Sequence, residues 1–212
     1  AFGLETFAPS SNDANNLTGR GHDYSLGFGF KVGYYREISE RLNMGFAYQT
    51  KGKMTRFDSY AGLFAEGGRF DIPENWSLGF AYMPKDDLTL VLDIQKINYS
   101  DVDSIGNPMG GIMVGNLLGA ANGPGFGWDD MTVFKIGAEW EANERMTYRA
   151  GFSFTEQPIS GSEVMFNILA PAVPETHFSA GFTRQINDRK ALDFALTRAF
   201  ENSVSGPNPF FP

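Results

Sequence analysis

The sequence predicts an all-β protein, an antiparallel up-and-down transmembrane β-barrel with about eight strands present. Three observations carry this. Eight segments alternate at period two, the strand period. Short polar turns alternate with long connections along the chain. One parity of every segment is apolar and rich in aromatics, and the other is small or polar, as in a wall that meets lipid outside and a polar lumen inside.

The first segment, Asp23–Arg36, places Tyr24, Leu26, Phe28, Phe30, Val32 and Tyr34 at even positions. A turn at Glu37–Glu40 leads into Arg41–Lys53, with Leu42, Met44, Phe46 and Tyr48. After the long connection Met54–Glu74, Asn75–Met83 carries Trp76, Leu78, Phe80 and Tyr82. The turn Pro84–Asp87 leads to Leu88–Tyr99, with Leu88, Leu90, Leu92 and Ile94. The second long connection, Ser100–Asp129, holds the longest uncharged run, Ser104–Trp128, with Pro108, Pro124 and eight Gly. Length alone would admit a membrane helix. The prolines and glycines argue instead for a loop containing a short apolar helix. Asp130–Glu141 carries Phe134, Ile136, Ala138 and Trp140; across the turn Ala142–Arg145, Met146–Thr155 carries Tyr148, Ala150, Phe152 and Phe154. The third long connection is Glu156–Glu175. Thr176–Gln185 (Phe178, Ala180, Phe182), the turn Ile186–Lys190 and Ala191–Phe200 (Leu192, Phe194, Leu196) complete the set.

A soluble sandwich or lipocalin also alternates. Two features oppose it. The bulky residues occupy one parity without a break, while the other is dominated by Gly27, Gly29, Gly45, Ala47, Gly79 and their like. A soluble barrel puts bulk inside; a membrane barrel puts it outside. Tyr34, Tyr82 and Trp140 also stand just before short turns on the apolar parity, where an interfacial aromatic girdle belongs. The composition agrees: 20 Phe, 8 Tyr, 3 Trp and 25 Gly suit strands and tight corners. No Cys and only two His leave little for a metal site, no cofactor is expected, and the net charge of −8 opposes a nucleic-acid partner. No signal peptide is visible at Ala1-Phe-Gly-Leu-Glu, so either it was removed or the chain begins mid-protein.

Four groups of residues have chemical potential. His177 and Ser179, two apart on a strand, share a face and form a candidate hydrolytic pair, provided a carboxylate orients the histidine. No G-x-S-x-G elbow accompanies them, and a polar lumen position is the plainer reading. Asp101-Val-Asp103-Ser-Ile-Gly106 is a weak match to a calcium loop without its closing Glu; a solvated loop is the plainer reading. Lys31, Asp93, Lys135, Glu139, Arg149 and Asp193 are odd-numbered charges of both signs, suited to lumen ion pairs. The greasy run from Ile112 through Met113, Leu117 and Leu118 lies in a loop, where an apolar surface usually marks an interaction site. A short helix there would show Met113, Leu117 and Leu118 on one face, unless the loop folds back onto its own barrel.

Three stretches have a family likeness. They are Trp76-Ser-Leu-Gly-Phe-Ala-Tyr with Leu88-Thr-Leu-Val-Leu-Asp, Trp128-Asp-Asp-Met-Thr-Val-Phe-Lys-Ile-Gly-Ala-Glu-Trp with Met146-Thr-Tyr-Arg-Ala-Gly-Phe, and Pro174-Glu-Thr-His-Phe-Ser-Ala-Gly-Phe with Ala191-Leu-Asp-Phe-Ala-Leu. In that order they resemble the outer-membrane long-chain fatty acid and hydrocarbon transporter family (FadL/TodX-like). The resemblance implies a barrel of roughly fourteen strands with an N-terminal hatch. Residues 1–212 would be a partial barrel domain, strands six to thirteen, with the hatch, the early strands and the last strand absent and Asn208-Pro-Phe-Phe-Pro reading as loop. It further implies a bacterial outer-membrane channel for passive uptake of fatty acids or aromatic hydrocarbons, with membrane lipid around it. The loop groove at Ile112, Met113, Leu117 and Leu118 would capture the ligand. Lys135 or Arg149 would meet its carboxylate in the lumen, Arg149 being preferred for its bidentate fork. A structural or adhesive barrel and a lipid hydrolase using His177 and Ser179 are the competing functions.

Overall fold

A computed structural model of the chain describes residues 3–207. The expectation for Asn208–Pro212 lies outside them, as does Ala1. The strands are β1 (Gly27–Phe28), β2 (Lys31–Ser39), β3 (Leu42–Gln49), β4 (Lys53–Met54), β5 (Glu74–Lys85), β6 (Leu88–Asn98), β7 (Met131–Asn143), β8 (Met146–Thr155), β9 (Thr176–Asn187) and β10 (Lys190–Ala199). Eight of them form one antiparallel sheet in chain order, β10-β9-β8-β7-β6-β5-β3-β2. This is the predicted meander.

The expected first strand, Asp23–Arg36, is broken in two. Its upper part, β1, pairs with β4 in a separate ribbon. From Gln49 to Lys53 the chain advances four residues, while the partner moves back only three, from Lys31 to Phe28. The extra residue is a bulge. Thr50 bridges it: its hydroxyl accepts the Phe30 N–H at 3.0 Å, and its own N–H donates to the Phe30 carbonyl at 2.9 Å.

Strands run closer to the turns than the sequence suggested. Ser39 pairs with Leu42, Lys85 with Leu88, Asn143 with Met146 and Asn187 with Lys190, leaving two residues in each turn. None of those residues has positive φ, so these are not the mirror-image turns that most two-residue hairpins use. A register shift beside each turn takes up the difference in twist. Pro84 sits within one such shift, where no ladder N–H is required.

Away from the turns, every ladder of the eight-stranded sheet pairs even with even and odd with odd, as in Phe46↔Leu78, Leu92↔Ile136 and Phe152↔Phe178. One face of the whole sheet is therefore the apolar parity. Phe46, Leu92, Ile136 and Phe152 are exposed, and no strand residue belongs to the buried apolar core. A sheet whose greasy face meets no protein needs lipid against it. The charges at even strand positions stand at strand ends: Arg36, Arg184 and Lys190 toward the turns, Glu74, Lys96 and Arg198 toward the loops. Between them lies an apolar band. From Met146 to Phe154 it runs about 27 Å along the strand at about 3.4 Å per residue, or about 20 Å of height once tilted by about 40°.

The sheet does not close. β2 and β10 are its two edges, and among the described residues they do not pair with each other. The inward parity explains why eight strands are too few. Gly45, Gly79, Gly137, Gly151 and Gly181 supply no bulk, whereas a closed eight-stranded barrel fills its interior with side chains.

Candidate functional site: loop cap and inner wall

The buried apolar residues lie in the connections. Phe7, Leu17, Met109, Leu118 and Phe166 form one core, flanked by Leu4, Leu63, Ile112, Phe126 and Met165. These come from the N-terminal segment and all three long loops, which thus pack into one cap at one end of the sheet. Each segment is short of regular structure, so aromatic contacts and side-chain hydrogen bonds fasten it. Phe166 stacks edge-on to Phe7 and lies 5.4 Å from Phe126, centroid to centroid. Asn167 accepts from the Trp128 indole at 2.5 Å and donates to the carbonyls of Phe126 and Glu163. Buried Glu163 accepts the Met109 N–H at 2.7 Å and the Ser162 hydroxyl at 2.9 Å. Two loops are thereby joined through groups that would be costly to leave unpaired.

The expected loop helix is a 3-10 helix, Met109–Val114, ended by Gly115 in the left-handed region at φ 91°. Its outer side is apolar and exposed: Met113 is 58% exposed, and Leu117, beyond the helix, 39%. Leu118 corrects the expectation that it shares this face. It is fully buried, because the backbone reverses at Gly115 and pairs with the N-terminal segment. The Leu118 N–H donates to the Ser10 carbonyl and the Asn12 N–H to the Leu118 carbonyl. Ile112 is half-buried against the same core. The four residues therefore divide: Leu118 and Ile112 anchor the cap, and Met113 and Leu117 face outward. Reading the sequence missed the matching feature of the third loop. Val164-Met-Phe-Asn-Ile-Leu-Ala is a second greasy loop run; it sends Phe166 into the core and leaves Ile168 and Leu169 exposed. The apolar stretch inside Glu156–Glu175 was the available signal.

On the inner parity, Arg149 is already engaged. Its Nε donates to Glu139 at 2.5 Å, and a terminal nitrogen donates to the Thr183 hydroxyl at 2.6 Å, which in turn donates to Asp193 at 2.6 Å. The plain ion-pair reading of the lumen describes this cluster, which engages Nε and one terminal nitrogen of Arg149. Lys135 stands directly across from Asp93 and on its other side from Ser153, with no ion pair among the described residues. His177 faces Ser153 across β8 and Ala199 across β10. Among the described residues no carboxylate hydrogen-bonds to it, and the Ser179 hydroxyl makes its hydrogen bond to the Gly151 carbonyl at 3.5 Å. The orienting acid that hydrolysis would require is not placed here. Asp101 and Asp103 lie on separate short helical turns, Tyr99–Asp101 and Asp103–Gly106, and among the described residues no three acidic, His or Cys side chains gather.

A family model described as outer membrane protein transport protein (OMPP1/FadL/TodX) matches residues 4–208. Solved structures share the fold. The Pseudomonas putida toluene transporter TodX is 15% identical, with a TM-score of 0.50, over 82% of this chain and 44% of that one. The TodX deltaS2S3 mutant, a monoaromatic hydrocarbon channel, is 18% identical, with a TM-score of 0.57, over 85% and 46%. The TodX deltaS2 mutant is 16% identical, with a TM-score of 0.53, over 85% and 45%. The chain thus spans less than half the length of these proteins. No curated protein matches it.

Proposed function

We propose that this chain, which belongs to the outer membrane protein transport family (OMPP1/FadL/TodX), supplies part of the wall and the outer cap of a bacterial outer-membrane channel that admits hydrophobic small molecules passively. The carrying observation is the cap: loops with their own apolar core that still turn Met113, Leu117, Ile168 and Leu169 outward. An exposed apolar surface at the loop end of a lipid-facing wall is a first contact for a sparingly soluble molecule. Flexible Met suits loose selection among apolar shapes. The eight strands are read as one portion of a larger wall, with the hatch and further strands completing it. Unpaired backbone groups at the edges of β2 and β10 are costly in lipid.

Capture is tested in the full-length protein by Met113→Asp with Leu117→Asp. Uptake of a labelled fatty acid or toluene at low concentration is expected to fall about tenfold, with barrel assembly unchanged. Each buried methylene is worth about 0.8 kcal/mol, so losing two contacts of this size is ample. Unchanged uptake by a correctly assembled double variant would remove the loop from the mechanism. The substrate class turns on Lys135, an inward cation that, like Lys31, makes no ion pair among the described residues. If the cargo is a fatty acid, Lys135→Met weakens its uptake and leaves toluene uptake alone, because only the carboxylate needs a cation.

A further inference from the structure

The lipid-facing side of the wall is not uniform. Ala138, Ala150 and Ala180 pair in one cross-strand row, Ala138↔Ala150↔Ala180. The next row toward the loops is Ile136, Phe152 and Phe178, and the next toward the turns is Trp140, Tyr148 and Phe182. Beside the small residues Ala138 and Ala150, the side chains of Leu90, Ile136, Phe152 and Phe178 wall an apolar groove of about 480 Å³. Toward the turns from this groove, Arg184 lies directly across from Met146 on β8 and Leu192 on β10. It is exposed on the apolar parity, and among the described residues it makes no ion pair or side-chain hydrogen bond. Lys190, two residues from Leu192, shares that parity. The even strand positions at the turn end carry Arg36, Arg184 and Lys190, while the carboxylates of that end stand in the turns, Asp86 on Arg41 and Asp87 on Trp140 among them.

We propose that this outer face holds an anionic phospholipid of the turn-side leaflet, its phosphate on Arg184 and Lys190 and one acyl chain in the groove over Ala138 and Ala150. A cation stranded among Met146, Leu192 and the aromatic row has no ion partner among the described residues, and it sits where lipid headgroups lie. Its preferred counter-charge is a phosphate, which the guanidinium fork fits. The aliphatic groove gives the chain of the same lipid a shaped surface, where a flat wall would bind none in particular. The site lies on the lipid side, opposite the inward parity, and is independent of what the channel carries.

Trp140, two residues from Ala138 in the adjoining row, reports on the groove. In the full-length protein carrying Trp76→Phe and Trp128→Phe, with every tryptophan outside residues 1–212 also changed to Phe, brominated phosphatidylglycerol should quench Trp140 more strongly than chain-matched brominated phosphatidylethanolamine. The relative binding constant is expected to be about fivefold, the factor one Arg contributes near an anionic surface. Arg184→Gln should bring the ratio close to one, and Ala150→Phe should lower quenching by both lipids. Equal quenching by the two lipids in the parent protein, or a ratio untouched by Arg184→Gln, would overturn the assignment. Native mass spectrometry of the otherwise unmodified full-length protein gives a second reading. Retained phosphatidylglycerol should be lost in Arg184→Gln, and retention equal to that of phosphatidylethanolamine would equally refute the site.

Discussion

Arg149 and Lys135 carry the same charge on neighbouring strands, and their neighbours give them different roles. Arg149 reaches Glu139 and Thr183 at once, because all three are odd-numbered and lie on adjacent strands. Both Glu139 and Arg149 are nearly half-exposed, so solvent screening keeps the pair weak. A double-mutant cycle with Glu139→Gln and Arg149→Met, measured by urea unfolding, should give a coupling below about 1 kcal/mol. Asp23 offers a pH test in the loops. Its carboxylate accepts the Ser59 and Tyr24 N–H groups, each at 2.8 Å, and the Ser59 bond foremost holds its pKa below the ordinary 3.8. A folded-state pKa lowered in this way stabilises above the unfolded value and is lost as pH falls through the folded one. Asp23→Asn should therefore speed exchange of the Ser59 amide at neutral pH. The gap from the parent should narrow only below pH 3.8; a difference that persists at lower pH would show that the bond does not need the charge.

At the scale of elements, cap and sheet depend on different physics. The sheet is held by backbone ladders and lipid contact; the cap is held by a small apolar core. Leu118→Ala should cost the cap about 2–5 kcal/mol, the range for a fully buried Leu, while the strands stay paired. Hydrogen exchange should then rise in residues 100–128 and 157–174 and remain slow in β5 to β9; equal loss in both regions would mean that the cap and the wall unfold as one unit. The turns are braced in their own way. Arg41 donates to the Pro84 carbonyl at 2.7 Å and pairs with Asp86 at 3.3 Å, tying one turn to the next. The Trp140 indole donates to Asp87 at 3.2 Å, which fixes an amphipathic ring with its polar edge at the turn and its body on the lipid face.

At the scale of the whole molecule, the open sheet is the main fact. β2 and β10 each leave one edge unpaired among the described residues. In the full-length protein they should be far apart. A cysteine pair at Val32 and Leu196 should stay reduced under mild oxidation, because the two edges do not meet. A pair at Val32 and Tyr48, which face each other across the β2–β3 ladder, should cross-link, since facing strand residues approach disulfide reach. Residues 1–212 contribute no native cysteine, and any cysteine elsewhere in the full-length protein is changed to Ser first. Ready linkage of Val32 to Leu196 would mean that the eight strands close on themselves, and the larger channel would go with it.

Strand order, the apolar parity and the long-loop, short-turn alternation were legible in the residues, because each depends on contacts local in sequence or on side-chain period. Phe46, Leu92 and Phe152 had to share a face once their strands paired in register. The bulge at Thr50 and the two-residue turns were not legible, since they depend on how the twist of paired strands is reconciled. Nor was the partition of the greasy loop run. Met113 and Leu118 have the same hydrophobic character, yet one is exposed and the other buried; the reversal at Gly115 and the docking of Ser10 and Asn12, more than a hundred residues away, decide between them. Arg149 was legible as an inward charge, but its engagement with Glu139 and Thr183 needed three strands side by side. By itself the sequence determined a lipid-facing antiparallel wall with family motifs in order. Only the tertiary structure decided which loop residues are core and which are surface, and which lumen charges already have partners, because these depend on contacts between segments far apart in the chain.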